Sequence, residues 1–397
     1  MEFTIERDTF LKSLGHATGI IEKKTTLPIL SNILIEAKDS KIKITATDLD
    51  IIYFEEITVN EIKKEGSTTT SASILYDILR KLKANTKVEF TLLNSNKLNL
   101  VSENSKFNLL CMPSDNFPLS EEDVNEKYFE ISSQKLLKLL NKTKISISND
   151  ETRHYLNGIY LHKTKLENKS FLCGVATDSH RLSSSSIEID PNTNFEAIIL
   201  PKKTIFQLIS LIEQNSNLIK ISNSKSKIKF EMDSGVLISK VIDGRFPDYN
   251  KVIPKDNDKA LEIKLNEFKN SIERVTTVSS DRKEGLKMFI SKESVKLSVS
   301  NPNSGDGVEN IKAKFDSSDF NISFNSRYLS DIASQIENES ILIKLKDPGS
   351  PVLIRDLLDK NSFHVVMPMK IWFIQFKTNI RLFFFFPLSN HLIPRVI

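Results

Sequence analysis

The sequence predicts an α+β protein made of three repeats of one domain, each with two helices among antiparallel strands. A strand that runs into a helix is read at three places. These are Phe3-Thr4-Ile5 followed by Phe10, Leu11 and Leu14; Tyr128 to Ile131 followed by Leu136, Leu137 and Leu140; and Leu261-Glu262-Ile263 followed by Phe268 and Ile272. In each, apolar and polar residues first alternate and then fall into a period near 3.6. Other markers keep the same spacing: Ala46-Thr47-Asp48 returns as Ala176-Thr177-Asp178, and Phe117-Pro118 returns as Phe246-Pro247 after almost the same interval. A second apolar helical face follows in every repeat, at Ile74, Leu75, Ile78 and Leu82, at Ile205, Leu208, Ile209 and Ile212, and at Tyr328, Leu329, Ile332 and Ile336. Repeats this long are duplicated domains, because solenoid units recur every ~20–50 residues.

Taken in order, Met1 to about Asp123 reads strand, helix, strands, helix, strands, with Ile42 to Thr45 and Val88 to Leu92 alternating as half-buried strands do. Lys23 to Pro28 is a basic loop ahead of a strand. The Pro-, Asp- and Glu-rich stretch from Pro113 to Asp123 is a linker, so the expected domains are 1–123, 124–250 and 251–371. In the second, Ser132 and Ser133 stand where they can cap a helix whose leucines face inward while Lys135, Lys138 and Lys142 face out. In the third, Asn301 to Gly307 is turn chemistry, and the ligand spacing of a calcium loop is absent. Beyond Ile371 the composition changes: residues 372–397 contain Trp372, the run Phe383 to Phe386, Lys377, Arg381 and Arg395, and no acid. This stretch fits no repeat and is expected to be an apolar tail outside the fold.

At 397 residues the chain has room for about three domains. Its net charge is +4, of which the tail supplies three, so the body is nearly neutral and any nucleic-acid surface must come from how charge is arranged. Cys111 and Cys173 are far apart and lack metal-ligand spacing, as expected of thiols in a reducing compartment. Met1-Glu2-Phe3-Thr4 does not open a signal peptide, and no apolar run reaches the ~18 residues of a membrane helix, so a cytoplasmic protein without membrane association is expected. Asp178 and His180 could form an acid–base or metal pair. No second carboxylate or histidine cluster stands beside them, and no Gly-rich phosphate loop occurs, so catalysis has little support.

All six helices carry basic residues, among them Arg7 and Lys12, Arg80 and Lys81, Lys135 and Lys138, Lys202 and Lys203, Lys269 and Arg274, and Arg327. If sheets face outward and helices inward, curvature can close a ring by head-to-tail association. Twelve helices from two chains, ~9–10 Å apart, leave a bore of roughly 27 Å, wide enough for a duplex held by salt-dependent, sequence-blind phosphate contacts.

The residues also carry a resemblance. Leu27 to Leu30, Arg153 to Gly158, Ala176 to Leu182, Val241 to Tyr249 and Val365 to Met369 make residues 1 to about 371 similar to the bacterial DNA polymerase III beta subunit family, the sliding clamps. The resemblance implies a non-catalytic processivity factor without cofactor or metal, whose head-to-tail homodimer encircles duplex DNA with its helices on the inner face. It further implies a peptide groove for the DNA polymerase III catalytic subunit, the clamp loader, and other polymerases and repair proteins. By matching position the groove would hold Leu156, Thr177, Ser179, His180, Arg181, Leu182, Pro247, Val252, Asn325, Tyr328, Val365, Met367, Pro368 and Met369. DNA contact would fall to Lys24, Arg153, His154, Tyr155 and Lys202, and the dimer interface to a strand edge near Phe107 and Leu109 and a helix near Val278. Ser179 stands where the family usually has Gly, His154 where Tyr is usual, Ser73 where a basic residue is common, and Lys370-Ile371 where Arg-Leu is the usual ending. The rival readings are a non-clamp DNA-binding regulator, which needs base-reading side chains on a recognition helix, and a hydrolase using Asp178 and His180. Neither accounts for the triplication.

Overall fold

Among the described residues the helices are α1 (Arg7–Thr18), α2 (Ala72–Lys81), α3 (Ser133–Lys144), α4 (Lys202–Glu213), α5 (Leu265–Val275) and α6 (Ser326–Ala333). The structure is a computed structural model that describes residues 1–22, 26–94, 96–119, 127–213, 217–279, 285–369, 371–373 and 383–385. Among the described residues every repeat has the same order: one strand, a helix, four strands, a second helix and three strands, with one extra short strand, Ile62–Lys64, in the first. The chain forms two compact units, one of residues 1–138, 165–170 and 189–243, the other of residues 139–164, 171–188 and 244–397.

The joints between repeats follow one rule, seen on six strands: β1 (Ile51–Thr58), β2 (Ser105–Met112), β3 (Arg181–Ile189), β4 (Gly235–Lys240), β5 (Gly305–Phe315) and β6 (Ser362–Val366). Of these, β1, β3 and β5 are the fourth strands of their repeats, and β2, β4 and β6 are the last. In the first unit β4 pairs antiparallel with β1, from Val236 opposite Phe54 to Ser239 opposite Ile51. In the second unit β6 pairs antiparallel with β3, from Arg181 opposite Val366 to Ser185 opposite Ser362. The last strand of one repeat thus extends the sheet of the repeat before it.

The remaining two strands lack that partner. β2 pairs fully with Lys97–Ser102 but meets Gly66–Ser71 only at Met112 and Cys111. β5 pairs with Ser294–Asn301 but meets Lys259–Lys264 only from Ala313 to Phe315. Among the described residues, Lys106 to Leu110 and Gly305 to Ile311 therefore have no strand on their outer side. Main-chain groups on such an edge seek another strand or water.

The cores follow from the alternating pattern. In the first unit Phe3, Phe10 and Phe90 are fully buried, with Phe3 and Phe90 stacked at 4.9 Å and Phe10 edge-on to Phe90 at 5.1 Å. Each such ring contributes about 1.5–3 kcal/mol by leaving water. In the second unit the third repeat closes over Leu261, Phe268, Ile272, Met288, Phe324 and Ile343, all at most 1 % exposed.

Four sequence expectations change. On α2 the buried stripe is Ala72, Leu75 and Leu79, and Ile74 is exposed, so the inward face is rotated from the one inferred. Ser133 is the first residue of α3 and its hydroxyl makes no hydrogen bond, so it does not cap the helix. Lys142 is not on an outer basic face: its side chain is 3 % exposed, and Nζ lies 2.6 Å from Asp359 Oδ2 and 3.5 Å from Glu337 Oε1. Arg7 is equally committed. Its Nε and Nη2 donate to the carbonyls of Leu79 and Arg80 at 2.6 and 2.8 Å, satisfying the C-terminal end of α2.

Candidate functional site

The Ala-Thr-Asp sequence recurs because it builds one turn twice. In the second unit Thr177 Oγ1 donates to the Arg181 carbonyl at 2.7 Å and accepts from the Ser179 amide at 3.1 Å. Asp178 Oδ1 accepts from the amides of His180 and Arg181, both at 2.9 Å. In the first unit Thr47 Oγ1 makes the matching bonds to Ile51 and Leu49 at 2.9 and 3.0 Å, and Asp48 Oδ1 those to Asp50 and Ile51 at 2.9 and 2.7 Å. Thr and Asp are needed because a short side-chain acceptor must reach amides two or three residues ahead. The residue that follows the Asp is forced left-handed, φ 78° at Leu49 and 76° at Ser179. Only glycine takes that conformation without steric cost.

Around the second of these turns lies a cleft of about 230 Å³, lined by Thr177, Ser179, His180, Arg181, Leu182, Pro247, Asp248, Tyr249, Val252, Val365 and Met367. Three stretches supply it: the turn, the 247–252 segment, and β6 with its exit. The Met367 amide donates to the His180 carbonyl at 2.8 Å, continuing the β6–β3 ladder past its last pair. Leu182 and Val365 form a buried floor, whereas Val252 and Met367 are 50 % and 40 % exposed. An open apolar cleft with a few polar groups on its rim suits side chains of a short peptide.

Nine of the fourteen residues expected in the groove line this cleft, and five stand elsewhere. Leu156 is 3 % exposed at the end of the 3-10 turn Glu151–Leu156. Asn325 caps α6, its Oδ1 accepting from the Arg327 amide at 3.0 Å. Tyr328 lies under the Arg181 guanidinium, 4.3 Å from its ring centre, and burial raises its phenol pKa above the ordinary value. Pro368 is buried, and the Met369 amide donates to the Ser323 carbonyl at 2.7 Å. Asp248 and Tyr249, which close the Val241 to Tyr249 motif, line the cleft although they were not among the residues expected there. The sequence signal was their place between Pro247 and Val252.

Arg181 is less available than its charge suggests. Nε is 3.1 Å from Asp178 Oδ2 and Nη1 is 2.7 Å from Asp331 Oδ2, while the side chain is 9 % exposed. It clasps the turn to α6. Among the residues expected to contact DNA, Arg153 donates from Nε to Asp150 Oδ2 at 2.9 Å and from Nη1 to Ser179 Oγ at 2.6 Å, which ties it to the cleft wall. Thr152, with Arg153 adding, holds the Asp150 carboxyl below its usual range. His154 is exposed and edge-on to the half-buried Tyr155 at 5.8 Å. Gly244, at φ 150°, lets the backbone pass there, since a Cβ would stand 3.1 Å from Tyr155 Cβ. Lys202 begins α4 and is half-buried, and Ser73 is exposed on α2. Lys24 lies outside the described residues.

At the expected interface, Phe107 is half-buried on β2 and Leu109 is 8 % exposed, so both point largely inward. Val278, in the 3-10 turn after α5, packs on the core of the third repeat. No group of three or more His, Cys, Asp or Glu able to hold a metal ion occurs among the described residues, nor is any described helix long and apolar enough to cross a membrane.

Comparison with known proteins is consistent through all three repeats. Family models for the N-terminal, central and C-terminal domains of the DNA polymerase III beta subunit match residues 1–121, 130–248 and 250–370. The beta sliding clamp of Caulobacter vibrioides is 35 % identical over 373 residues, 94 % of this chain and 100 % of that one, and the Escherichia coli clamp is 29 % identical over 371 residues with the same coverage. Among solved structures, the Bartonella birtlesii sliding clamp bound to griselimycin superposes with a TM-score of 0.90 at 38 % identity, covering 93 % of this chain and 99 % of that one. A griselimycin-bound clamp from Pseudomonas aeruginosa gives 0.87 at 28 % identity with the same coverage. With three domain matches in order and a relative of this identity aligned over its full length, the chain belongs to the bacterial DNA polymerase III beta subunit family, the beta sliding clamps.

Proposed function

We propose that two copies of this chain join head to tail into a ring around duplex DNA and act, without catalysis, as the processivity factor of a bacterial replicative polymerase. The open strand edges carry this reading. The chain makes two joints by adding a last strand to a fourth strand, and the strands of the third joint of the series, β2 and β5, have no such partner among the described residues. A second copy supplies it, and the same contact repeated once closes the assembly. Transferring the register of the internal joints puts Phe107 to Leu109 of one chain opposite Gly305 to Gly307 of the next. On this reading the contact runs along β5, near Val278.

The cleft then serves as the docking groove for short apolar peptides of polymerases, the clamp loader and repair proteins, and griselimycin, bound by two similar clamps, is a fitting probe. Arg153, His154, Tyr155, Lys202 and Lys24 meet phosphates without reading bases. The three clamp domains span 1–123, 124–250 and 251–371, the stretch 372–397 is appended, and the cytoplasm is the site of action. The test is retention on plasmid after loading by the clamp loader. A topological ring stays on circular DNA through a moderate-salt wash and leaves linear DNA by its ends. Equal loss from both forms, or equal retention on both, refutes encirclement.

A further inference from the structure

Tyr249 on the cleft wall is held from behind by an aromatic ladder. Tyr160 and His162, two residues apart on the strand Gly158–Leu166, project to the same side of that strand. The Tyr160 ring stacks on Phe246 at 4.9 Å and 7° on one side, and on His162 at 4.7 Å and 25° on the other. His162 then meets Tyr249 at 5.8 Å between ring centres, with its Nε2 3.0 Å from the phenol oxygen. Burial lowers the His162 pKa and raises that of Tyr249, so a neutral imidazole faces a neutral phenol. The Cys173 thiol is a second polar neighbour of that phenol.

We propose that His162 is a positioning residue of the groove: its bond to the phenol fixes the rotation of Tyr249 and so the shape of the wall that meets an aliphatic or aromatic anchor side chain. The inference rests on the groove reading. At about 230 Å³ the cleft is smaller than the roughly 300–1,000 Å³ of pockets that enclose whole small molecules, so it takes individual side chains and depends on each wall ring. A phenol needed only for solubility could point its hydroxyl at water from the rim. Here it turns inward to a histidine that is itself stacked on the Tyr160 ring.

The experiment measures binding of a fluorescent peptide containing Gln, Leu and Phe, with griselimycin as a second probe, to the full chain and to His162→Leu, His162→Gln, Tyr249→Phe and the His162→Leu/Tyr249→Phe double variant. A lost hydrogen bond of ordinary strength predicts three- to tenfold weaker binding for His162→Leu and for Tyr249→Phe. The double variant should bind no more weakly than the worse single one, because both changes remove the same contact. His162→Gln, whose amide nitrogen reaches the place of Nε2, should stay within about twofold of the parent. Multiplying effects in the double variant, failure of Gln to rescue, or unchanged binding by His162→Leu overturns the positioning role while leaving the groove intact. Binding of neither probe by the unmodified chain overturns the groove reading and this inference with it.

Discussion

Acidification should weaken the second unit through His364. The imidazole is 1 % exposed on β6, one residue from the cleft-lining Val365, and its Nδ1 is 2.8 Å from Ser183 Oγ, which lies 2.7 Å from Ser146 Oγ. Burial, with the nearby Lys142 and Arg181 charges adding, pushes its pKa from 6.5 down to about 3. Above pH 6.5 the ring is neutral whether the chain is folded or not, and pH has no effect through it. Between 6.5 and about 3 the unfolded chain binds a proton that the folded one refuses, so stability falls as the pH falls. At about 1.4 kcal/mol per pH unit, the loss at pH 5 is about 2 kcal/mol. Urea unfolding followed by circular dichroism at pH 7 and pH 5 measures it, with His364→Asn as the control. Asn offers a polar atom near the place of Nδ1 but does not titrate, and carboxylate effects are common to both proteins. The parent should lose more than the variant by the whole of that amount. Equal losses would refute the buried neutral histidine.

Three other outcomes are expected. Leu49→Gly should stabilise the first unit by about 0.5–1 kcal/mol, the left-handed cost relieved less the entropy of glycine, while Ser179→Gly should gain less because it gives up the bond from Arg153; a lower unfolding temperature for Leu49→Gly would count against the strained turn. Cys111 turns its amide toward the Lys97–Ser102 side, to the Asn96 carbonyl, so by alternation Asn108 turns its own to the open edge, and Asn108→Pro should leave the monomer folded but abolish the dimer in light scattering. Persistence of the dimer would exclude β2 as the joint. Arg181→Lys should cost about 1–3 kcal/mol despite the retained charge, since one ammonium cannot reach Asp178 and Asp331 while covering Tyr328; calorimetry showing a variant as stable as the parent would rule out the clasp.

The repeats were legible because their marks are local. The alternation of Glu2–Glu6, the helical period of α4, and the Thr-Asp turn are written within a few residues and need no tertiary knowledge. The turn's recurrence was visible as a spelling before its hydrogen bonds explained it. What the sequence hid was set by distant neighbours. Lys142 reads as an outer lysine and becomes buried because Asp359 and Ser362, far along the chain in the last repeat, meet it. Arg7 reads as part of a basic face and is consumed by the end of α2. On α2 the apolar residues Ile74, Leu75 and Ile78 span too wide an arc for periodicity alone to choose the inward side. In the cleft, the motifs marked the turn, the Val241 to Tyr249 stretch and β6, but Tyr249 was not placed in the groove because its role comes from His162, which is remote in sequence and adjacent in space.

Joined as proposed, the two open strand edges also make this chain a bifunctional monomer in the polymer chemist's sense, with two different ends that react with each other. Such a monomer can grow stepwise into open strings or cyclise, and the outcome depends on concentration as well as on geometry. Once two chains share one joint, their remaining ends are confined to the same small volume, and the local concentration that each end presents to the other favours cyclisation over adding a third chain. Weakening one edge should therefore do more than loosen one contact: each joint is formed at the concentration supplied by the other, so damage to either is felt at both. Crowding free chains to concentrations comparable with that local value would instead favour linear growth through the same edges.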